Sequence, residues 1–369
     1  MRFTAASAFD HGMPERTAVL LVQLGTPDAP ETAAVRRYLR EFLSDPRVVE
    51  IPALVWKPIL HGIILRTRPS KSAHKYASIW TPEGSPLMVN TARQATLLRG
   101  WLGKQGHEVD VAFAMRYGNP SIPEVLRQLR ERNPKRLLVL PLYPQYAGST
   151  TATAIDAVNA ELANWRNQPE LRWVRDFHDD EGWLDALAGR IREQWEKDGP
   201  PDKLVMSFHG VPKRTLLAGD PYHCECLASG RLLAQRLGLG ASDWVVTFQS
   251  RFGRAEWLQP YTEPTLRGLG KSGVRRVDVV CPGFVSDCLE TLEEIAIEGK
   301  QAFLESGGAD FRYIGCLNDL PAFVDALGRL ALRHLSGWDT RRPDPEQAAR
   351  RSDALARRRE RALAAGAKA

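Results

Sequence analysis

The chain has 369 residues, of which 43% are hydrophobic and 25% charged, so it can bury a large core and its length suggests two domains. The net charge is +6, and much of the excess lies in an Arg- and Ala-rich tail without the aromatic residues that nucleic-acid sites interleave with arginine. No run reaches the roughly 18 apolar residues that span a bilayer. With no N-terminal signal pattern and no regular cysteine framework, we expect a cytoplasmic protein that binds no nucleic acid.

Short apolar runs alternate with amphipathic stretches almost from the start of the chain. Several runs are nearly continuous in apolar residues, as expected for strands that are buried on both faces of a parallel sheet. The predicted strands are 18–24, 109–115, 136–143, 203–209, 244–250 and 275–281. Helical patterns lie between them, and this alternation predicts an α/β fold.

The order of these elements repeats once along the chain. The run LLVQLGTP ends in a Gly-Thr-Pro turn that begins at Gly25, and VMSFHGVP ends in a Gly-Val-Pro turn that begins at Gly210. The repeat predicts two similar Rossmann-like domains over residues 15–165 and 166–335, each with a mainly parallel sheet flanked by helices. We expect residues 336–369 to form a basic Ala/Arg-rich tail that is either a solvated helix or disordered.

An insertion interrupts the first half at about residues 40–90. It is apolar and basic and contains several prolines and Gly84, which favours loop structure over a core element. We expect it to form a lip over a ligand cleft. Its apolar stretch 54–65 is followed by basic residues up to Lys71. This pattern fits packing on the cleft wall and weak peripheral contact with an anionic membrane equally well.

Polar and aromatic side chains lie at several predicted carboxyl ends of strands, where open α/β sheets bind ligands. They include Arg116, Tyr117, Tyr143, His209 and Ser250. His209 takes the repeat position that Leu24 holds in the other half. A cleft between the halves would therefore have an imidazole on one side and an apolar side chain on the other. Histidine in that position can transfer protons near neutral pH or bind a borderline metal.

Three glutamates follow the last predicted strand at a spacing of four residues. Read as an α-helix, SDCLETLEEIAIEG places Glu290, Glu294 and Glu298 on one face and Glu293 on another. One interpretation is a solvated face, with Glu290 in a capping box with Asp287. That interpretation explains Glu298, in the last turn, poorly. The other interpretation is a route for a divalent cation or for protons.

The ordered motifs over residues 18–330 resemble the ferrochelatase family. They are LVQLGTPDAP, FLSDPRVVEIP, GSPL, AMRYGNPSI, LPLYPQYAGSTT, SFHGVPKR, GDPY, TFQSRFGRAEWLQPYTE and CPGFVSDCLETLEEI. The resemblance implies a class II chelatase-like fold and a lyase that inserts ferrous iron into protoporphyrin IX, which is the last step of haem biosynthesis. It also implies transient contact with the preceding enzyme of that pathway.

The resemblance implies roles for individual residues as well. His209 and Glu290 match the family's catalytic and metal-binding pair, while Glu294, Glu298 and Asp287 match a proton or metal path. The residues that match the porphyrin cleft are Leu24, Arg116, Tyr117, Tyr143, Ser250 and Trp257. Whether His209 acts as a base or as a metal ligand stays open.

Two departures from the family pattern concern the substrate and the cysteines. Leu24 stands where relatives that use coproporphyrin carry a tyrosine, which favours protoporphyrin IX, and Cys288 stands where some members carry a second histidine. No cofactor is expected beyond the substrate Fe²⁺. Cys224 and Cys226 could bind a [2Fe–2S] cluster, but one Cys-x-Cys pair is a weak signal and reduced thiols are the favoured interpretation. The run AGSTTAT lacks the spacing of a phosphate loop.

Two alternatives to this function stay open from the sequence. One is a chelatase for another metal or tetrapyrrole, such as cobalt or coproporphyrin III, although such enzymes usually present more histidines at the cleft. The other is a non-catalytic haem or metal carrier, which would need closed axial coordination, and no second axial ligand is evident.

Overall fold

The computed structural model describes residue 3 and residues 10–367, and within that part the strands form two four-stranded parallel sheets. The first sheet has the order β2-β1-β3-β4 and the second the order β6-β5-β7-β8. The strands are Arg16–Thr26 (β1), Asp110–Gly118 (β2), Pro134–Pro141 (β3), Glu170–Trp173 (β4), Lys203–His209 (β5), Trp244–Gln249 (β6), Arg276–Val280 (β7) and Asp310–Tyr313 (β8). The matching orders confirm the predicted pair of similar α/β units.

Helices flank both sheets. The α-helices are Thr32–Ser44 (α1), Ala53–Ile59 (α2), Leu65–Ile79 (α3), Pro86–Lys104 (α4), Ile122–Arg130 (α5), Thr153–Leu162 (α6), Glu181–Asp198 (α7), Lys213–Leu217 (α8), Tyr222–Leu237 (α9), Thr262–Lys271 (α10), Lys300–Glu305 (α11), Pro321–Leu335 (α12) and Pro345–Ala364 (α13). Three segments are π-helical, with the wider i→i+5 bonding: Leu60–Ile64, Gly148–Ala152 and Glu290–Gly299.

The two halves exchange their last helices. Helix α7 follows the first sheet yet packs on α9, and α12 follows the second sheet yet packs on α4 and β3. Side chains of both sheets, such as Leu138 and Phe208, therefore belong to one buried apolar cluster. Strand β4 pairs with β3, so the first sheet extends past residue 165, where the sequence placed the boundary. The two halves therefore share one core, with His209 at the carboxyl end of β5 and Ser250 directly after β6.

The lip insertion is helical, and the predicted loop structure was wrong. Its residues form the end of α1, then α2, the π-helical segment Leu60–Ile64, α3 and the start of α4, with prolines inside α2 and α3. Leu60, Leu65 and Tyr76 are buried against α1. Burial of this apolar face outweighs the local helix-breaking tendency of the prolines, and the π-helical segment absorbs part of the distortion.

The basic tail is largely helical and exposed. Helix α13 begins with a capping box formed by Asp344 and Gln347 and contains no buried residue. Arg358 pairs with Glu15 and Arg359 with Asp10, so the helix lies near the start of β1 and away from the strand ends that carry the predicted site. Of the two structures that the sequence allowed for the tail, the solvated helix is the one found.

Candidate active site

His209 ends β5, and its ring is oriented by the turn that follows. Nδ1 lies 2.6 Å from the carbonyl oxygen of Gly210. A carbonyl cannot donate, so Nδ1 carries the hydrogen and Nε2 of the neutral ring is left with a lone pair. A Cβ on Gly210 would lie 2.6 Å from the backbone oxygen of Gln249, which is why glycine is required at this turn. The half-buried ring therefore presents a nitrogen that can accept a proton or bind a metal.

Glu294 is fixed by the loop that follows β6. The backbone N–H of Ser250 donates to Oε1 at 2.6 Å, and the Ser250 hydroxyl donates to Oε2 at 2.5 Å. Ser250 has a φ of 63°, a left-handed conformation that directs both donors to the same carboxylate. Burial raises the pKa of Glu294 above its ordinary value, against the hydrogen bonds from Ser250 and the charge of His209. A carboxyl with a raised pKa exchanges protons closer to neutral pH than an exposed one.

Glu290 lies at the start of the π-helix and faces the lip. The pKa values of Tyr38 and Tyr76 are raised mainly by the burial of both rings, and the charge of Glu290 raises them further. Its carboxylate also lies beside the thiol of Cys288, whose pKa is raised by burial and then by Glu290. Tyr76 of the lip and Tyr38 of α1 thus lie near Glu290 with their hydroxyl groups, and Cys288 lies beside it with its thiol.

The π-helical geometry divides the acidic series, by which we mean Glu290, Glu294 and Glu298. Lys75 of the lip donates to Glu298 at 2.7 Å and to Glu293 at 3.0 Å. Glu293 and Glu298 are five residues apart, which is about one turn of a π-helix, so they share a face. From α-helical spacing we predicted that Glu293 lies on a different face from the acidic series. In the structure it lies beside Glu298, the outer residue of that series.

Asp287 lies underneath the acidic helix. Its carboxylate accepts hydrogen bonds from the hydroxyls of Tyr313 and Thr291, from the amide of Asn318 and from the backbone of Cys316. The residue is 8% exposed. Both oxygens of this carboxylate are thus bound by neighbouring groups, and the place of Asp287 on a proton or metal path stays a prediction. The predicted capping box with Glu290 is replaced by these contacts.

The first half contributes a cluster around Asp45. This carboxylate accepts from Arg116 at 2.5 Å, from the Tyr117 hydroxyl at 2.9 Å and from Thr153 at 2.6 Å. Tyr117 is 1% exposed, so it contributes to the cleft wall through Arg116, which stacks on its ring, and not through its own surface. The sequence placed Arg116 and Tyr117 on the porphyrin surface but gave no role to Asp45.

The remaining predicted cleft residues differ in what they can offer. Tyr143 is 8% exposed, and its buried hydroxyl has no hydrogen-bond partner among the described residues. Half-buried Leu24 packs in the apolar cluster of the lip. Half-buried Trp257 packs on the Gly210 turn and forms a β-bridge with Pro212. Leu24 and Trp257 are thus held by packing, and the Tyr143 hydroxyl is enclosed within the protein.

The cysteines and the threonine-rich loop have ordinary structural surroundings. Cys224 and Cys226 lie two residues apart on α9, where one side chain is exposed and the other fully buried, so they do not face a common cluster. The backbone N–H groups of Tyr146 and Gly148, which a phosphate would need, are bound by the carboxylates of Glu225 and Asp220.

A second group with metal-binding chemistry lies outside this site. Asp176, His178 and Asp179 have ligand atoms within 4.8 Å of one another, in the loop after β4. Nδ1 of His178 donates to the Asp176 carboxylate at 2.8 Å, and Arg175 pairs with both Asp176 and Glu225. The charges of this group are compensated internally, as in a loop-stabilising ion network.

Sequence reasoning missed Gln249, Lys75 and Asp45. Gln249 was grouped with a strand end and given no role, although it lies between His209 and the acidic helix. Lys75 and Asp45 lie in the lip region, where only long-range packing shows which partner each charge meets. Both stand among other charged residues, so the sequence gives no local signal for either.

His209, Glu290 and Glu294 supply polar groups from the second half of the molecule. Arg116 and Tyr117, held by Asp45, belong to the first half. An imidazole with a free lone pair next to carboxylates can remove protons and bind a divalent cation through nitrogen and oxygen ligands. Because the protein supplies few ligands, such a site can release the cation into a second molecule.

Comparison with known proteins shows similarity over almost the whole chain. A family model described as ferrochelatase matches residues 16–335. A ferrochelatase of Polaromonas sp. (strain JS666) is 58% identical over 371 residues, covering 100% of both chains. The ferrochelatase of Herminiimonas arsenicoxydans is 61% identical over 340 residues, 92% of each chain. Among solved structures, SirB from Bacillus subtilis with Fe³⁺ is 14% identical with a TM-score of 0.49, and the match covers 87% of this chain and 96% of that one.

Proposed function

The chain belongs to the ferrochelatase family, whose reaction is the insertion of iron into a porphyrin for haem synthesis, and from that membership we propose that its porphyrin is protoporphyrin IX and that His209 and Glu290 form its metal site. The observation that carries the assignment of the site is the orientation of His209. Its Nδ1–H donates to the Gly210 carbonyl, so the lone pair of Nε2 is left to accept a proton or to bind the metal.

The reaction requires two protons to leave and one cation to enter. A porphyrin carries two pyrrole N–H groups, and Fe²⁺ replaces both hydrogens as it binds the four nitrogens, so two protons are released for each metal inserted. His209 accepts a proton at Nε2 or binds the incoming Fe²⁺ there, and Glu290 supplies a carboxylate beside it. Glu294, with its raised pKa, passes protons outward along the acidic helix.

The first half would hold the macrocycle. Arg116, fixed by Asp45 and Thr153, would offer positive charge toward a propionate, and the Tyr143 ring lies near Arg116. Leu24, Trp257 and the lip give apolar surface for the flat ring. Leu24 in place of a tyrosine favours protoporphyrin IX, which has fewer carboxylates than coproporphyrin III.

The test is an anaerobic mixture of protein, Fe²⁺ and porphyrin followed by the visible spectrum. We expect haem formation well above the protein-free rate with protoporphyrin IX and a lower kcat/KM with coproporphyrin III. The reverse preference would overturn the proposed substrate, while no acceleration with either porphyrin would overturn the activity. Zinc or cobalt in place of iron tests the alternative of another metal in the same assay.

We also propose that the lip makes weak contact with anionic membranes. Within the part of the chain that the structure describes, no helix combines the length and the apolar character needed to cross a bilayer. Leu54, Val55 and Ile63 are nevertheless 92%, 55% and 57% exposed, and Leu217 of α8 is 78% exposed. Arg66 and Lys71, both exposed, lie on the same insertion. Apolar side chains beside basic ones suit an anionic surface, and a poorly water-soluble porphyrin could be loaded there or from the preceding enzyme.

A further inference from the structure

Gln249 occupies the point where the strand of His209 meets the acidic helix. It is the last residue of β6 and pairs in register with His209, the last residue of β5. Its backbone oxygen accepts the N–H of Gly210 at 2.8 Å. The residue is 3% exposed, so its side-chain amide has to find all of its partners inside the protein.

The side chain of Gln249 crosses from the strands to the helix. Nε2 donates to the backbone oxygen of Glu290 at 2.8 Å and lies 3.4 Å from Oε2 of Glu294. Oε1 accepts from the hydroxyl of Ser207 at 2.7 Å. One amide therefore contacts the first residue of the π-helix, a carboxylate one turn later and the strand that carries His209.

The orientation of this amide is determined by its partners. A backbone carbonyl and a carboxylate are both acceptors, so the group that faces them must be the NH₂ end. The oxygen end then faces Ser207, whose hydroxyl can donate. Ser207 in turn lies 2.8 Å from the hydroxyl of Thr262, which bonds to Thr247 at 2.9 Å. This buried chain of hydroxyls fixes the amide in one of its two possible orientations.

We propose that Gln249 is a positioning residue that sets the distance between His209 and the carboxylates of Glu290 and Glu294. The proposal rests on the proposed function, since it assumes that these side chains bind the incoming metal. Gln249 acts through the Glu290 backbone and the Glu294 carboxylate and does not itself touch the substrate. Without its amide the helix start would lose this bridge to the His209 strand, while Ser250 would still hold Glu294, so it is chiefly the separation of His209 and Glu290 that would no longer be fixed.

The proposal predicts different kinetic effects for the two substrates, the metal and the porphyrin. If His209 and Glu290 are misplaced, the metal binds more weakly. The residues of the first half that would bind the porphyrin are unaffected. Displacements of about 1 Å at a reacting centre can cost about 10²-fold in rate. Loss of stability alone would instead reduce the active fraction of the enzyme and leave both KM values unchanged.

The experiment compares full-length wild type, Gln249→Met and a matched control, Gln145→Met. Gln145 is 2% exposed, and its amide donates to the Ser229 hydroxyl at 2.9 Å, so the control removes a similarly buried amide. Initial rates are measured anaerobically with Fe²⁺ and protoporphyrin IX, varying each substrate in turn. For Gln249→Met we expect a metal KM raised about tenfold, a lower kcat and a porphyrin KM within about twofold of wild type. For Gln145→Met we expect neither KM to change.

Two results would overturn the proposal. One is a folded Gln249→Met protein whose metal KM stays within about twofold of wild type, and the other is an equal rise in metal KM for Gln145→Met. If Gln249→Met does not fold, Gln249→Asn keeps an amide that is one methylene too short to bridge, and the same rise in metal KM is expected. Failure of both variants to fold would assign Gln249 a purely structural role. Wild type that inserts no iron contradicts the proposed function itself and is recognised before any variant is compared.

Discussion

The ammonium group of Lys75 lies 2.7 Å from the carboxylate of Glu298 and so joins the lip to the outer end of the acidic series. The same ammonium lies 3.0 Å from Glu293. A cation approaching these two carboxylates from solvent meets a positive charge that already offsets one of their two negative charges. Burial and then the charge of Glu298 raise the pKa of Glu293, against the hydrogen bond from Lys75.

We expect Lys75→Met to lower the metal KM at low ionic strength, because the variant removes the charge that competes with Fe²⁺ for Glu293 and Glu298. The stability cost should be about 1 kcal/mol or less, since Lys75 and Glu298 are partly exposed. Steady-state rates at low and at high salt measure the effect, which should shrink as salt screens it. Lys71→Met, on the exposed side of the same helix, is the control. A metal KM that rises instead would show that Lys75 helps the metal to enter.

His209→Ala should abolish most of the turnover and leave the fold intact. The side chain is half-buried at a strand end, and the loss of a general base typically costs about 10²–10⁴-fold in rate. Iron insertion and thermal unfolding are measured on the same preparation, with His74→Ala, an exposed histidine of α3, as the control. Turnover within a few fold of wild type in His209→Ala would remove this residue from the mechanism.

Glu290→Gln should reduce kcat/KM for the metal strongly, by about 10²-fold, because the neutral amide binds a divalent cation poorly. Glu293→Gln keeps Glu290 and Glu294 in place and should alter turnover little. It nevertheless weakens an ion pair with Lys75 in which Glu293 is mostly buried, so its melting temperature should fall more than that of Glu290→Gln. Equal losses of turnover in the two variants would contradict the assignment of Glu290 as the ligand.

The acidic helix shows what the sequence could and could not establish. The residue types, their position after a buried strand and their order were readable, and with them the family. The pairing of Glu293 with Glu298 was not, because it depends on a π-helical period that no local signal announces and that the packing against Lys75 and Gln249 stabilises. The hydrogen bonds that Asp287 accepts from Tyr313 and Asn318 were not readable either, because they join residues 26 and 31 positions apart.

The fold, like the acidic helix, was predicted from the sequence in part. The six longer strands, which include β2 and β6 at one edge of each sheet, were found from their apolar runs. The edge strands β4 and β8 were missed, since each has four residues and carries an arginine in its middle, Arg172 and Arg312. The helical lip was also missed, because its prolines are tolerated only through burial of Leu60, Leu65 and Tyr76 against α1.

Asp45→Asn should destabilise the protein at neutral pH by about 3 kcal/mol, since it leaves Arg116 without its buried partner. Burial alone would raise the pKa of Asp45, but the hydrogen bonds from Thr153, the Arg47 backbone and Tyr117, with the charge of Arg116, hold it below its ordinary value. A depressed pKa in the folded state gives stability that is present above the unfolded pKa of about 3.9 and is lost as the pH falls through the folded value. Denaturant unfolding at pH 7 and near pH 3 should therefore show a gap between wild type and variant that narrows in acid. A constant gap would mean that the carboxylate's charge contributes nothing.

The lip and the tail offer two basic surfaces at different ends of the molecule, and only one of them should bind membranes through both charge and apolar contact. We expect wild type to co-sediment with anionic vesicles at low salt, and Leu54→Ser/Arg66→Glu to sediment much less, because Leu54 is 92% exposed and each basic residue near such a surface contributes about 1 kcal/mol. Arg357→Glu/Arg361→Glu, on the exposed tail helix, makes a charge change at least as large away from the lip and should sediment nearly as wild type does. If the tail variant loses binding and the lip variant keeps it, the lip serves only as a wall of the cleft. Porphyrin would then reach the site through water or from a partner enzyme.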